Sequence, residues 1–338
     1  MDRRKFLASA PFAAVAATGP SRDWLLATLD QQPDAGPRVR IEDVTAVRNM
    51  FSEFQKIDIF QGGGSGRLVL AAYMNVHVYP LLRRTQTDDI RRALCEAAAE
   101  QTYLLGWMAY DNGEHGTAQR YLIQSLRLAE ESQNAPLGAH VLAGMADQAT
   151  LLGHPEEGLN LARSGRHGLG GQSHAALADL WALEGRALAA MGDRAGAARA
   201  IVQSEAAAEH IDHEAEPEWA LFIDPAYLHG EHAVTLRDIG DSAGAQEHAR
   251  RSIDHARMQS RARRGAMSQA ALASAHLQRN DLEAAYAAGL RTLSLTSKVK
   301  SSRAVEAVVD LQKRMQPFGQ HRLVADFVER ARVLIPAA

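Results

Sequence analysis

From residue 88 onward the chain alternates helix, tight turn and helix, and its turns align on one small residue. Gly113, Gly153, Gly192, Gly240, Asn280 and Gly319 form this series, with separations of 40, 39, 48, 40 and 39 residues. A period near forty belongs to solenoids of helical hairpins rather than to two independent globular domains. Glycine and asparagine best tolerate the left-handed conformation that ends a helix, so all six positions are predicted to be helix C-terminal turns. The next residue is Glu114, His154, Asp193, Asp241, Asp281 or Gln320. Acidic residues at four of these places suit the positive end of the following helix.

The flanking positions carry the same period. Five residues after each turn stand Ala118, Gly158, Ala197, Ala245, Ala285 and Val324, and twelve after stand Ser125, Gly165, Ser204, Ser252, Thr292 and Ala331. Seven before come Gly106, Ala146, Gly185, Ala233, Ala273 and Gln312. Antiparallel helices joined by a short turn approach closely only where small side chains face each other. The departures, Gln312 and Val324, fall in the last unit, which is read as a capping hairpin. Composition agrees: apolar residues are 46% but aromatics only 6%, so the core is expected to be Ala, Leu, Val, Ile and Met in packed helices.

The unit WALEGRALAAMGDRAGAARA resembles the tetratricopeptide consensus in Trp181, Gly185, Leu188, Gly192, Asp193 and Ala197. The resemblance implies an all-α, right-handed superhelical solenoid of antiparallel hairpins. Six hairpins are assigned to residues 88–338. Residues 40–60 and 67–85 read as a divergent hairpin capping the N-terminal end, joined by the glycine-rich stretch from Gln61 to Gly66, so the cap spans 40–87. A 48-residue spacing marks an insertion of about eight residues around Pro217 and Pro225, expected to lay Trp219 and Phe222 on one face of the solenoid.

Residues 1–39 read as a leader or linker. Arg3, Arg4, Phe6 and Leu7 resemble a twin-arginine export signal, with Pro20, Pro33, Gly36 and Pro37 marking a mobile connector. No stretch reaches 18 consecutive apolar residues, so no integral membrane segment is expected. The 37 basic and 40 acidic residues give a formal charge of −3, which leaves no basic field for nucleic acid. The single cysteine, Cys95, excludes an internal disulfide framework and is read as a buried helical thiol.

Candidate chemistry is sparse. Gly66 is followed by Arg67 and Leu68 instead of a phosphate-loop Lys and Ser or Thr, so the glycines read as helix stop, turn and helix start. His210, His213 and Glu214, then His229, Glu231 and His232, offer metal-ligand types, but four-ligand spacing is missing and no metal or other cofactor is assigned. Arg261, Arg263 and Arg264 read as a solvated turn. No recognised catalytic template is present, so no catalytic residue is assigned and the chain is read as non-enzymatic.

Concave surfaces are what such scaffolds use for binding. The repeat phase places Glu100, Tyr103, Trp107 and Tyr110 on the inner face of the first unit, then His140 and Asp147, Asp179 and Arg186, and Tyr227, Glu231 and Arg237. Aromatics beside mixed charge suit an extended peptide or protein segment. Equally, Tyr103 and Trp107 would seal the joint with the N-terminal hairpin.

The stretches IFQGGGSGRLVLAAYMNVHVYPLL and GWMAYDNGEHGTAQRYLIQSLRLAEES look like the tetratricopeptide half of actinobacterial helix-turn-helix regulators. In that family a segment like Arg3-Arg4-Lys5-Phe6-Leu7 links the two halves. Here the sequence starts at the linker, so direct nucleic-acid contact is not expected. The resemblance implies a cytoplasmic regulatory protein that binds a peptide or protein, with homodimer formation open. Two alternatives stand: an exported scaffold, and a metal-dependent enzyme using His229, Glu231 and His232.

Overall fold

A computed structural model of the chain describes residues 36–334. Arg3, Arg4, Phe6 and Leu7, with most of the expected leader, lie outside the described residues. Helices make up most of the described residues, which include no strand. Helix α1 (Ile41–Gln61) is followed by α2 (Gly63–Tyr73), which continues through a π-helical turn at Met74–Val78 into α3 (Tyr79–Leu82). Then come the pairs α4 (Asp88–Asp111) and α5 (His115–Ser132), α6 (Ala135–Leu151) and α7 (Pro155–Leu169), and α8 (His174–Ala190) and α9 (Arg194–Ala208). After the insertion follow α10 (Pro225–Asp238) and α11 (Ser242–Met258), α12 (Ala262–Gln278) and α13 (Leu282–Thr296), and α14 (Ser302–Met315) and α15 (Arg322–Ala331). Each pair packs together, and the first helices of successive pairs also touch.

The periodic turns have a common construction. Gly113, Gly153, Gly192, Gly240 and Asn280 have φ of 75°, 84°, 83°, 87° and 58°. The next amide donates to a carbonyl five residues back: Glu114 to Ala109, His154 to Ala149, Asp193 to Leu188, Asp241 to Leu236 and Asp281 to His276. These bonds satisfy carbonyls that a helix end leaves orphaned. Asp193, Asp241 and Asp281 then cap the second helix, accepting from the amides of Gly196, Gly244 and Ala284 at 2.8, 2.9 and 3.1 Å.

Gly319 departs from the series. Its φ is −57°, following a 3-10 turn at Gln316–Phe318. Pro317 fixes its own φ and brings no amide, so α14 runs out through that tighter turn instead of a left-handed stop. The second helix of the N-terminal pair also starts at Gly63 rather than at residue 67. Gly62, at φ 87°, is the break, and the remaining glycines are already helical.

Small residues twelve after the turn have a specific task. Ser125, Ser204 and Ser252 donate to the carbonyls of Ala99, Ala178 and Ala226 at 2.8, 2.7 and 2.6 Å. Each bond reaches back 26 residues across its hairpin. Gly165 meets the carbonyl of Ala139 at the same offset, where an added Cβ would sit 3.2 Å from the oxygen. Cys95 is buried at 1% exposure, and burial pushes its thiol up to about 12, so it stays protonated.

The array curls until its C-terminal units meet its N-terminal pair. Helix α1 lies against α4 and also against α12. Lys300 donates its amide to the Gln61 carbonyl at 2.9 Å, and its own carbonyl accepts from Gly64 at 3.2 Å. Gly62 permits this closure, because a Cβ there would collide with the Lys300 carbonyl, and Gly63 beside it rests on α4, where a Cβ would lie 2.5 Å from the Met108 carbonyl oxygen. Backbone cannot step aside cheaply, so Gly63→Ala is expected to lower stability by about 1–3 kcal/mol in urea unfolding. A change under about 0.5 kcal/mol would show that α2 is not held there.

No helix among the described residues is long and apolar enough to cross a membrane.

Candidate functional site

The first helices of successive hairpins turn a forty-residue sequence period into one interior surface. Asp147 on α6, Arg186 on α8 and Glu231 on α10 meet there. Arg186 Nη1 pairs with Asp147 Oδ1 and, at 2.9 Å, with Glu231 Oε2. Arg264 on α12 holds the other Glu231 oxygen at 3.0 Å, and Arg303 on α14 reaches Asp147 Oδ2 at 3.3 Å. Alongside, Arg263 binds Asp58 of α1 at 2.7 Å and Asp111 of α4 at 2.8 Å. Asp111 also accepts from Ser301 Oγ at 2.8 Å and the Gly63 amide at 2.9 Å. Two runs of alternating charge thus cross the interior, one from Arg303 through Asp147, Arg186 and Glu231 to Arg264, the other through Asp58, Arg263 and Asp111, which ties the N-terminal pair to α12.

The charges are compensated, and the degree of compensation sets each protonation state. Arg186 and Arg264 outweigh burial at Glu231 and hold its carboxyl down at about 2. Asp179 has no arginine in contact. Burial, with Glu231 and Asp147 nearby, pushes it up to about 7, although the Tyr227 hydroxyl donates to it at 2.8 Å. With Asp179 protonated, the carboxylates of Asp58, Asp111, Asp147 and Glu231 match the guanidiniums of Arg186, Arg263, Arg264 and Arg303.

Aromatic rings line the space beside this network. The rings of Tyr103 and His140 lie 4.0 Å apart, and His140 stacks on Trp219 at 4.7 Å. Phe222 meets Tyr227 edge-on at 5.2 Å and Trp107 at 6.5 Å. Arg303 lies over Trp107 and Tyr110 at 4.9 and 4.8 Å, and Arg264 over Tyr227 at 4.7 Å. Burial drops His140 to about 3, so its ring is neutral, and its Nδ1 has no hydrogen-bond partner. Between these rings, Asp58 and Arg263 lies a cavity of about 50 Å³. That is room for a few waters or one side-chain tip, far below the ~300 Å³ of a typical small-molecule site.

Of the residues placed on the inner face from sequence, Tyr103, Trp107, Tyr110, His140, Asp147, Asp179, Arg186, Tyr227 and Glu231 come together here. Glu100 lies outside the cluster, half-buried near Glu96 and Arg48, where burial and Glu96 push its carboxyl up to about 8. Arg237 lies at the opposite end of α10, bonded to Asp238 at 2.8 Å and facing Asp310 at 3.6 Å.

The expectation of a solvated Arg261, Arg263 and Arg264 turn is overturned. Arg264 is 7% exposed, and Arg261 is held by Asp224 at 2.7 Å. Their counterions come from other helices, so the local sequence shows only a basic run. Asp58, Asp111 and Arg303 had no marker in the repeat phase. Trp219 and Phe222, on the insertion, enter the concave side, and Trp219 is 2% exposed. The triad His229, Glu231 and His232 is not assembled, because both Glu231 oxygens are held by arginines.

Comparison with known proteins finds no family model that matches the chain and no curated protein significantly similar to it.

Proposed function

We propose that this protein is a non-enzymatic regulatory scaffold of the tetratricopeptide type, a right-handed superhelix that takes a segment of a peptide or protein partner on its concave side. The observation that carries the reading is the cavity between Trp107, His140, Phe222 and the arginine row. It is sized for a side chain, walled by aromatic rings, and offers one unpartnered buried nitrogen, His140 Nδ1. Rigid aromatics supply contact area at low entropic cost. The recurring left-handed turns and small-residue contacts support the repeat type.

The test is selection from a displayed random-peptide library against the folded chain. Enriched peptides are expected to share one apolar or aromatic anchor residue. Trp107→Ala and Phe222→Ala, each on a half-buried ring, should weaken their binding at least tenfold while circular dichroism stays unchanged. No enrichment, or equal binding by both folded variants, removes this reading.

A further inference from the structure

Away from the interior network, α10 and α11 gather three histidines. His229 and His232 sit one turn apart on α10, and His248 comes from α11; each offers a ring nitrogen within 4.8 Å of the others. His229 Nδ1 and His248 Nδ1 are 3.1 Å apart. A tetrahedral zinc ion with Zn–N bonds of about 2.05 Å separates its nitrogens by about 3.3 Å, so this pair is already at ligand spacing.

Neighbouring groups decide which nitrogens are bare. Ser204 Oγ gives its proton to the Ala178 carbonyl at 2.7 Å, so toward His232 Nε2, 2.9 Å away, it accepts. His232 therefore carries its proton on Nε2. Its Nδ1 is an unprotonated lone pair, buried and without any hydrogen-bond partner. A buried acceptor left empty costs free energy, and an ion would satisfy it. The Glu205 carboxylate, 3.6 Å from His248 Nε2, favours the proton there and leaves His248 Nδ1 bare as well. Metal-binding imidazoles commonly donate their other N–H to a carboxylate or another oxygen, and Ser204 and Glu205 occupy those places.

We infer that His229, His232 and His248 form a binding site for one divalent transition-metal ion of the zinc class, oriented by Ser204 and Glu205, with water completing the coordination. Imidazole suits zinc, copper and nickel better than magnesium or calcium. The ion takes the Nδ1 lone pairs of the three rings, while His229 moves its proton to Nε2. The bound ion would staple α10 to α11.

Untagged protein, stripped with chelator and re-equilibrated with zinc chloride against a chromophoric chelator, should hold one equivalent of zinc. His229→Gln and His248→Gln, at half-buried positions, should each weaken binding at least 100-fold, and Ser204→Ala about tenfold. A cobalt titration of the wild-type chain needs no variant: it should give the intense visible bands of a four-coordinate ion, removed by zinc. No stoichiometric uptake at micromolar free zinc overturns the site. So does uptake unchanged in the folded glutamine variants, or a weak six-coordinate cobalt spectrum. None of these residues lines the peptide cavity, so either proposal fails without the other.

Discussion

Glu231→Gln is expected to destabilise the protein by about 3–5 kcal/mol, measured by urea unfolding at pH 7. Glu231 is 2% exposed, and its two oxygens serve Arg186 and Arg264 separately. A glutamine keeps the shape but turns one acceptor into an NH₂ that faces a guanidinium. It also leaves two buried cations sharing one fewer anion. Desolvated charges without their counterion are what make broken buried pairs expensive, in contrast to exposed ones. Glu329→Gln, in the exposed pair with Arg332, is the control and should change stability by less than about 1 kcal/mol. A Glu231→Gln loss as small as the control's would show that the interior charges are hydrated. The acid limb carries the same signature. With its folded value held at about 2 against an ordinary 4.5, Glu231 stabilises fully above pH 4.5, and this is lost as pH falls through about 2.

The second large effect has the opposite sign. Asp179 titrates at about 7 in the folded chain against an ordinary 3.8, so the native state keeps its proton where the unfolded chain has lost it. Its contribution is full below about pH 3.8 and disappears as pH rises through about 7. Roughly three pH units correspond to about 4 kcal/mol. Asp179→Asn, which keeps an acceptor for the Tyr227 hydroxyl, removes the ionisation. The variant is expected to gain on the wild type by up to about 4 kcal/mol between pH 4 and pH 8, followed by urea midpoints along that range. Glu100, also shifted upward, titrates in both proteins and cancels in the difference. Parallel wild-type and variant curves would mean that Asp179 is ionised throughout and that a carboxylate without an arginine is tolerated in the interior.

Both effects depend on an arrangement only partly legible in the chain. The turn at Gly192 and the cap at Asp193 were readable because a left-handed stop and the first turn of a helix each impose a residue type locally. Gln133 and Ser260 also adopt positive φ, at 59° and 56°, but neither residue type announces it. They join one hairpin to the next, and the geometry there is set by how the hairpins stack. The inner-face residues Tyr103, Asp147, Arg186 and Glu231 followed from helical phase, since facing a neighbouring hairpin is a periodic property. Arg263 could not be placed in that way. Its partner Asp58 lies 205 residues away, and a basic run reads as solvated until a distant carboxylate is brought beside it.

The amino-acid sequence by itself therefore determined the helices of the repeats, the left-handed hairpin turns from Gly113 to Asn280, and the inward side of the first helices for most residues, Glu100 and Arg237 excepted. These are set by interactions within a few residues, repeated about every forty. Tertiary structure alone decided that the array closes through Lys300 and Gln61, that Trp219 and Phe222 fill the concave side, and that His248 joins His229 and His232. The first two depend on how the curvature of successive hairpins accumulates, and the third on the register of α10 against α11 within one hairpin; no local pattern in the sequence encodes either.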